Sequence, residues 1–192
     1  MAFWSDREEG SFVYIMNLDD TKQFRMIDDS HATTDPAFSP DGENIAYVSE
    51  QSMLHDRMEI CLRNLDRGEE VDLTPNQAYE RDPSFSPDGK HIIFTSHREG
   101  LNDIFIMNID GNEQVNLTNN KFWNEDPQFT PDGKQIVYVS SLAQGKEIFI
   151  MNTNGNNQGR LTFGGGGSPC FAPMLINGKL LDYYGNWHEL EQ

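Results

Sequence analysis

Basic residues are scarce in this chain: 14 Lys and Arg stand against 31 Asp and Glu, a formal net charge of −17 over 192 residues. A surface of that sign repels polyphosphate unless its few cations gather in one patch, and no such patch is visible, so no nucleic-acid partner is expected. Long apolar runs are missing too. Only 36% of residues are apolar, and none of the runs approaches the roughly 18 residues of a membrane span, so no membrane insertion is expected. Cysteine is nearly absent. Cys61 and Cys170 show neither a disulfide framework nor a metal-site spacing, and Cys61, within Ile60-Cys61-Leu62, is expected to be a small core residue. The opening MAFWSDREEGSF has neither the basic head nor the apolar core of a secretory signal. The expected compartment is therefore the cytoplasm by default, or the periplasm for a mature or trimmed form. Finally, nothing resembles Gly-x-Ser-x-Gly, His-Glu-x-x-His, an Asp-x-Asp-x-Asp-Gly calcium loop or a phosphate-binding glycine loop.

What the chain does have is a repeat. Asp35 to Gly42 reads DPAFSPDG, Asp82 to Gly89 reads DPSFSPDG and Asp126 to Gly133 reads DPQFTPDG, at offsets of 47 and 44. An apolar run closed by Asn recurs at Asn17, Asn64, Asn108 and Asn152, with offsets of 47, 44 and 44. Leu-Thr recurs at Leu73-Thr74, Leu117-Thr118 and Leu161-Thr162, with Met26-Ile27 as a degenerate first copy. Three landmarks on one period mark a tandem array.

Each unit holds four strand-length runs, in the third copy 84–86, 91–96, 103–108 and 114–117, separated by turn residues. In Ser-Pro-Asp-Gly, Pro presets φ, Asp can bond nearby backbone, and Gly accepts the positive φ that closes the hairpin. Asp110-Gly111 and Asn154-Gly155 supply the second turn. The middle runs IIF and IFIM are apolar without alternation, which for strands this short predicts cover on both faces. The expected fold is an all-β propeller of about four four-stranded blades, one domain over 1–192 with repeats near 1–27, 35–74, 82–118 and 126–162 and a partial copy at 168–184. The terminal blades are incomplete, because Ala2 to Ser5 aligns with a second strand, Ile93 to Ser96. Three arrangements stay open: closure of the ring by the C-terminal strand, closure in a homodimer, and a fragment of a larger propeller.

The sequence FSPDGK followed by IIFTSHREGLNDIFIMNIDG is similar to the PD-type propeller repeat of TolB and related proteins. The resemblance implies a propeller, usually of six blades, a count from which this chain departs. It also implies a face, around the channel mouth, formed by the segments before the first strand and the loops between strands two and three. On that face lie Asp35, Asp82 and Asp126, with Ser168 in the fourth copy, and the loops that carry Met53, Leu54, His97 and Arg98. Tyr79 and Trp123, each three residues before a repeat Asp, are either a stacking platform for a peptide or sugar or packing against the next blade.

Two readings of the Asp set are open. Converging carboxylates repel unless a Ca²⁺ or Na⁺ ion or a basic partner group compensates them; alternatively, each Asp caps its own turn by accepting backbone N–H bonds. The leading functional expectation is a noncatalytic scaffold binding a protein, peptide or small ligand at this face, as a monomer or homodimer. The alternative is a metal-dependent lyase or hydrolase, for which His31, His55 and His97 are the histidines able to meet on one face.

Overall fold

A computed structural model describes residues 1–8, 10–17, 22–26, 31–50, 57–75, 78–169, 179–181 and 187–189. Among them there are strands and turns and no helix. The first sheet has three antiparallel strands, β1 (Ala2–Glu8), β2 (Gly10–Ile15) and β3 (Phe24–Arg25). Three four-stranded antiparallel meanders follow. The second blade is β4 (Thr33–Phe38), β5 (Asn44–Glu50), β6 (Met58–Asn64) and β7 (Glu70–Asp72). The third is β8 (Glu80–Phe85), β9 (His91–Ser96), β10 (Asp103–Asn108) and β11 (Val115–Asn116). The fourth is β12 (Trp123–Phe129), β13 (Gln135–Leu142), β14 (Gly145–Asn152) and β15 (Gly159–Arg160). A separate pair, β16 (Lys179–Leu181) and β17 (Trp187–Glu189), lies outside these blades. This is the all-β propeller architecture with incomplete blades that the repeat predicts.

The repeated residues build repeated contacts. In the Ser-Pro-Asp-Gly turn the Ser86 hydroxyl donates to Asp88 at 2.6 Å and accepts the His91 N–H at 3.0 Å, while Gly89, at φ 70°, returns its N–H to the Ser86 carbonyl. Ser39 and Thr130 do the same in their blades. These bonds hold the carboxyls of Asp41, Asp88 and Asp132 below the usual Asp range, the hydroxyl first and the turn N–H second. The Thr of each Leu-Thr pair accepts an N–H near the start of strand three: Thr74 from Ile60, Thr118 from Ile104 and Thr162 from Ile148, at 2.8–3.0 Å. In the first blade Met26 keeps the Leu position, donating its N–H to Val13, but Thr33 supplies the hydroxyl, accepting the Val13 N–H at 2.9 Å.

The core lies in the seams between blades. Val13 and Met26 meet Ile45, Tyr47 and Cys61 in the first seam. Ala46, Ile60 and Leu73 meet Phe85, Ile92, Phe94, Phe105 and Met107 in the second. Ile93, Ile104 and Leu117 meet Phe129, Ile136, Tyr138 and Met151 in the third. Ile92 and Ile93 thus serve opposite neighbours, which is why the centres of the middle strands are apolar without alternation. Cys61 is a buried core residue whose thiol donates to Asp72 at 2.9 Å, and burial pushes that thiol far above its usual pKa.

Candidate functional site

The three repeat aspartates occupy one backbone feature. Strand pairing slips between Thr34 and Ala37, between Arg81 and Ser84, and between Glu125 and Gln128, and within each slip the Asp sits in the left-handed region at φ 49°, 54° and 53°. Such a bulge bends the inner strand and re-aims one side chain. Asp tolerates the conformation better than most residues, although a left-handed non-glycine still costs roughly 1–3 kcal/mol.

The side chains form a ladder from blade to blade. The Asp82 backbone N–H faces the Asp35 carboxylate and opposes the rise in its pKa that burial causes. Asp82 Oδ2 accepts the Thr95 hydroxyl at 2.8 Å and the Asp126 N–H at 3.4 Å. Asp126 Oδ2 accepts the Ser168 hydroxyl at 2.5 Å, a side-chain donor where Asp82 receives a backbone N–H. The backbone donor that Asp82 engages therefore belongs to the next copy and not to its own turn, as one of the two open readings had it. A period along the chain shows that a residue recurs, not which neighbour it faces. Among the described residues no group of three or more His, Cys, Asp or Glu side chains is arranged to hold one metal ion.

Burial lifts the Asp82 carboxyl to about 6; the Thr95 hydroxyl opposes the rise, and Asp126 and Asp35 add to it. Burial raises Asp35 in the same sense. A carboxyl whose folded pKa exceeds its unfolded value binds its proton more tightly when folded. Its stabilising contribution is complete below pH 4 and disappears as pH rises through about 6. Asp82→Asn keeps both acceptor bonds and tolerates the left-handed backbone, and it removes the ionisation penalty. The variant is expected to gain roughly 1–3 kcal/mol at pH 7 and to flatten the stability profile between pH 4 and 6.5, read by chemical denaturation at several pH values. A profile unchanged from the parent's would contradict this.

Beside the ladder is a cleft of about 350 Å³ lined by Met58, Tyr79, Arg81, His97, Asn102 and Trp123, from three successive blades. The Tyr79 backbone is pinned on both sides: Met58 N–H donates to the Ala78 carbonyl at 3.2 Å and His97 N–H to the Tyr79 carbonyl at 3.0 Å. The imidazole of His97 leans on the Trp123 indole, with ring centroids 5.5 Å apart and 35° between planes. Tyr79 remains 39% and Trp123 47% exposed, so part of each side chain faces solvent. Arg81 lies 3.9 Å from Glu125, which Lys146 also engages.

Asn102, almost wholly buried, places its Oδ1 3.1 Å from His97 Nδ1, and its Nδ2 has no partner among the described residues. An unsatisfied buried amide costs about 1–3 kcal/mol unless a water or ligand completes it. A larger crevice of about 500 Å³ at the other end of the strands includes Ser86, Asp88, His91, Phe129 and Asp132. Its polar side chains Ser86 and Asp88 are already bonded within their own turn, which makes it a seam of the repeat.

The structure thus brings Tyr79, His97 and Trp123 together and sets the Asp ladder beside them. Arg98 turns inward, donating to Glu80, Gln114 and Ser96 within blade three. Met53, Leu54 and His55 lie outside the described residues. Sequence reasoning missed Met58, Arg81 and Asn102. Met58, Asn102 and Lys146 occupy one repeat position, each followed by an acidic residue, Glu59, Asp103 and Glu147, and its failure to repeat was the available signal.

A family model described as TolB beta propeller domain matches residues 36–186. Among solved structures, TolB from Acinetobacter baumannii is 28% identical with a TM-score of 0.74, over 85% of this chain and 41% of that one. A putative TolB from Agrobacterium tumefaciens is 24% identical with a TM-score of 0.76, over 83% of this chain and 59% of that one. A puromycin-hydrolyzing peptidase from Mycobacterium tuberculosis shares the fold at 13% identity, with a TM-score of 0.66 over 81% of this chain and 26% of that one. No curated protein matches the chain. The chain therefore spans less than two thirds of each of these solved relatives, between 26% and 59% of their length.

Proposed function

This chain belongs to the TolB beta propeller domain family, and on that premise we propose that it is a noncatalytic scaffold binding a protein or peptide partner at the face of the Tyr79–Trp123 cleft. The observation that carries the proposal is the cleft itself: two large aromatic rings held half exposed on pinned backbone, beside a guanidinium and a buried amide. Rigid aromatics with one wet edge are the side chains that anchor protein interfaces, because they bury much area for little lost rotamer freedom. The neighbouring Asp35–Asp82–Asp126 ladder gives the rim a fixed negative field, which selects against acidic partners.

A displayed library of random peptides, panned on the immobilised protein, tests this. The recovered peptides are expected to lose tenfold or more in affinity on Tyr79→Ala or Trp123→Ala, about 1.4 kcal/mol or more, and to ignore His91→Ala at the far end of the strands. Peptides indifferent to Tyr79 and Trp123 but sensitive to His91 would overturn the assignment of the face.

A further inference from the structure

Hydrogen-bond donors dominate the wall of the cleft. Arg81 supplies a guanidinium, which only donates, and none of the six lining residues carries a carboxylate. Asn102 is 4% exposed, and with His97 protonated on Nδ1 and bonded to Asn102 Oδ1, the amide Nδ2 is the group left without a partner among the described residues. A ligand suited to this wall offers acceptors, few donors, and a flat apolar surface for the Tyr79 and Trp123 rings. Charge narrows the class further. The adjacent Asp35, Asp82 and Asp126 and a net charge of −17 repel a carboxylate, while an ammonium or guanidinium group in the cleft would meet Arg81, whose nearest carboxylate, Glu125 at 3.9 Å, is not part of the lining.

An uncharged extended segment containing proline satisfies each condition. Its rings are flat and apolar, its tertiary amides have no N–H to leave unpaired, and its carbonyls accept. Its polyproline II conformation is set before binding, so less freedom is lost on docking into an aromatic groove. The cleft, at about 350 Å³, is in the lower part of the roughly 300–1,000 Å³ range of ligand pockets, the scale of a short extended segment and not of a helix.

We propose that the Tyr79–Trp123 cleft is a prolyl-peptide subsite, in which the two aromatic rings cover prolyl rings and Asn102 donates to a backbone carbonyl of the partner. This rests on the reading of the face as a peptide-binding surface and names what the surface selects. The probe is capped hexaproline, titrated against the whole chain while the Trp123 indole resonance is followed, with capped Gly-Ser, hexalysine and hexaglutamate peptides of equal length alongside. Hexaproline is expected to shift the resonance saturably. Its affinity, followed by calorimetry in the variants, should fall at least fivefold in Trp123→Ala and in Asn102→Ala. The exposed Trp123 position keeps the test valid if Asn102→Ala fails to fold. Binding of hexalysine or the Gly-Ser peptide as tightly as hexaproline, through the same two rings, overturns the prolyl subsite and leaves the face intact. Absence of binding by all four peptides also overturns it, while library peptides sensitive to Tyr79 and Trp123 would still uphold the face. Hexaproline binding unchanged by Trp123→Ala and Tyr79→Ala sinks the subsite, and the same indifference among library peptides sinks the face reading separately.

Discussion

Gly155→Ala is expected to destabilise the chain by about 2–4 kcal/mol, through left-handed strain together with forced overpacking, on the addition of a single methyl group. Gly155 sits at φ 80°, and a Cβ there would meet the Leu117 carbonyl oxygen of the preceding blade at 2.7 Å and the Leu117 Cα at 3.3 Å. The obstacle is backbone, so no side chain can swing aside. The same carbonyl accepts the Gln158 amide at 3.1 Å, and displacing it strains that bond between blades as well. Gly111 repeats the arrangement against Leu73, at φ 81° and 3.0 Å, with Gln114 donating to the Leu73 carbonyl at 3.0 Å. Gly133 is the control. Its φ is 69°, but its nearest neighbour is the Pro87 side chain at 3.5 Å, leaving only the conformational cost of roughly 1 kcal/mol. In thermal unfolding, Gly155→Ala should lower the midpoint by roughly 5–15 °C at 2–4 °C per kcal/mol for a chain of this size. Equal midpoints for Gly155→Ala and Gly133→Ala would contradict the close-approach argument.

These glycines also mark how far the sequence alone carries. A period of 44 residues announces hairpins, and the observed β9 and β10 begin and end at the residues the pattern predicts, His91–Ser96 and Asp103–Asn108. Turn chemistry is local, so residues close in sequence declare it. Contacts across a seam are another matter. That Gly155 needs its hydrogen because of Leu117, 38 positions earlier, follows from blade stacking and not from the Asn-Gly pair. The Asp ladder was legible as a recurring residue and not as a chain of bonds from one copy to the next. Tyr79 and Trp123 were visible because aromatics recurred in register, whereas Asn102 was hidden in a position that does not repeat. The substitution of Thr33 for the hydroxyl of a Leu-Thr pair was hidden likewise, since the donor strand and the acceptor belong to different blades.

Arg98 shows the same limit with the largest consequence. Its place in a loop of the face expected to meet a partner made it a candidate contact, yet its guanidinium points into blade three. It donates to Glu80 at 2.9 Å, to Gln114 at 2.6 Å and to the Ser96 hydroxyl at 2.9 Å, and it lies over the Phe105 ring at 4.7 Å. The Glu80 side chain is wholly shielded from water and that of Arg98 is 23% exposed. Removing the cation from a buried pair leaves a desolvated carboxylate, so Arg98→Leu is expected to cost about 3–5 kcal/mol. Arg98→Lys should recover little, because one ammonium cannot reproduce a planar fork that serves three acceptors and stacks on an aromatic face. Adding Glu80→Gln to Arg98→Leu removes the stranded charge and should restore about half of the loss or more, a coupling that a double-mutant cycle in denaturant measures directly. If Arg98 acted only as a contact for a partner, Arg98→Leu would weaken peptide binding with an unchanged unfolding midpoint. The expected order is the opposite: the blade loosens first, and the peptide binding proposed at the His97–Trp123 ledge falls because the strand end that presents His97 is no longer held.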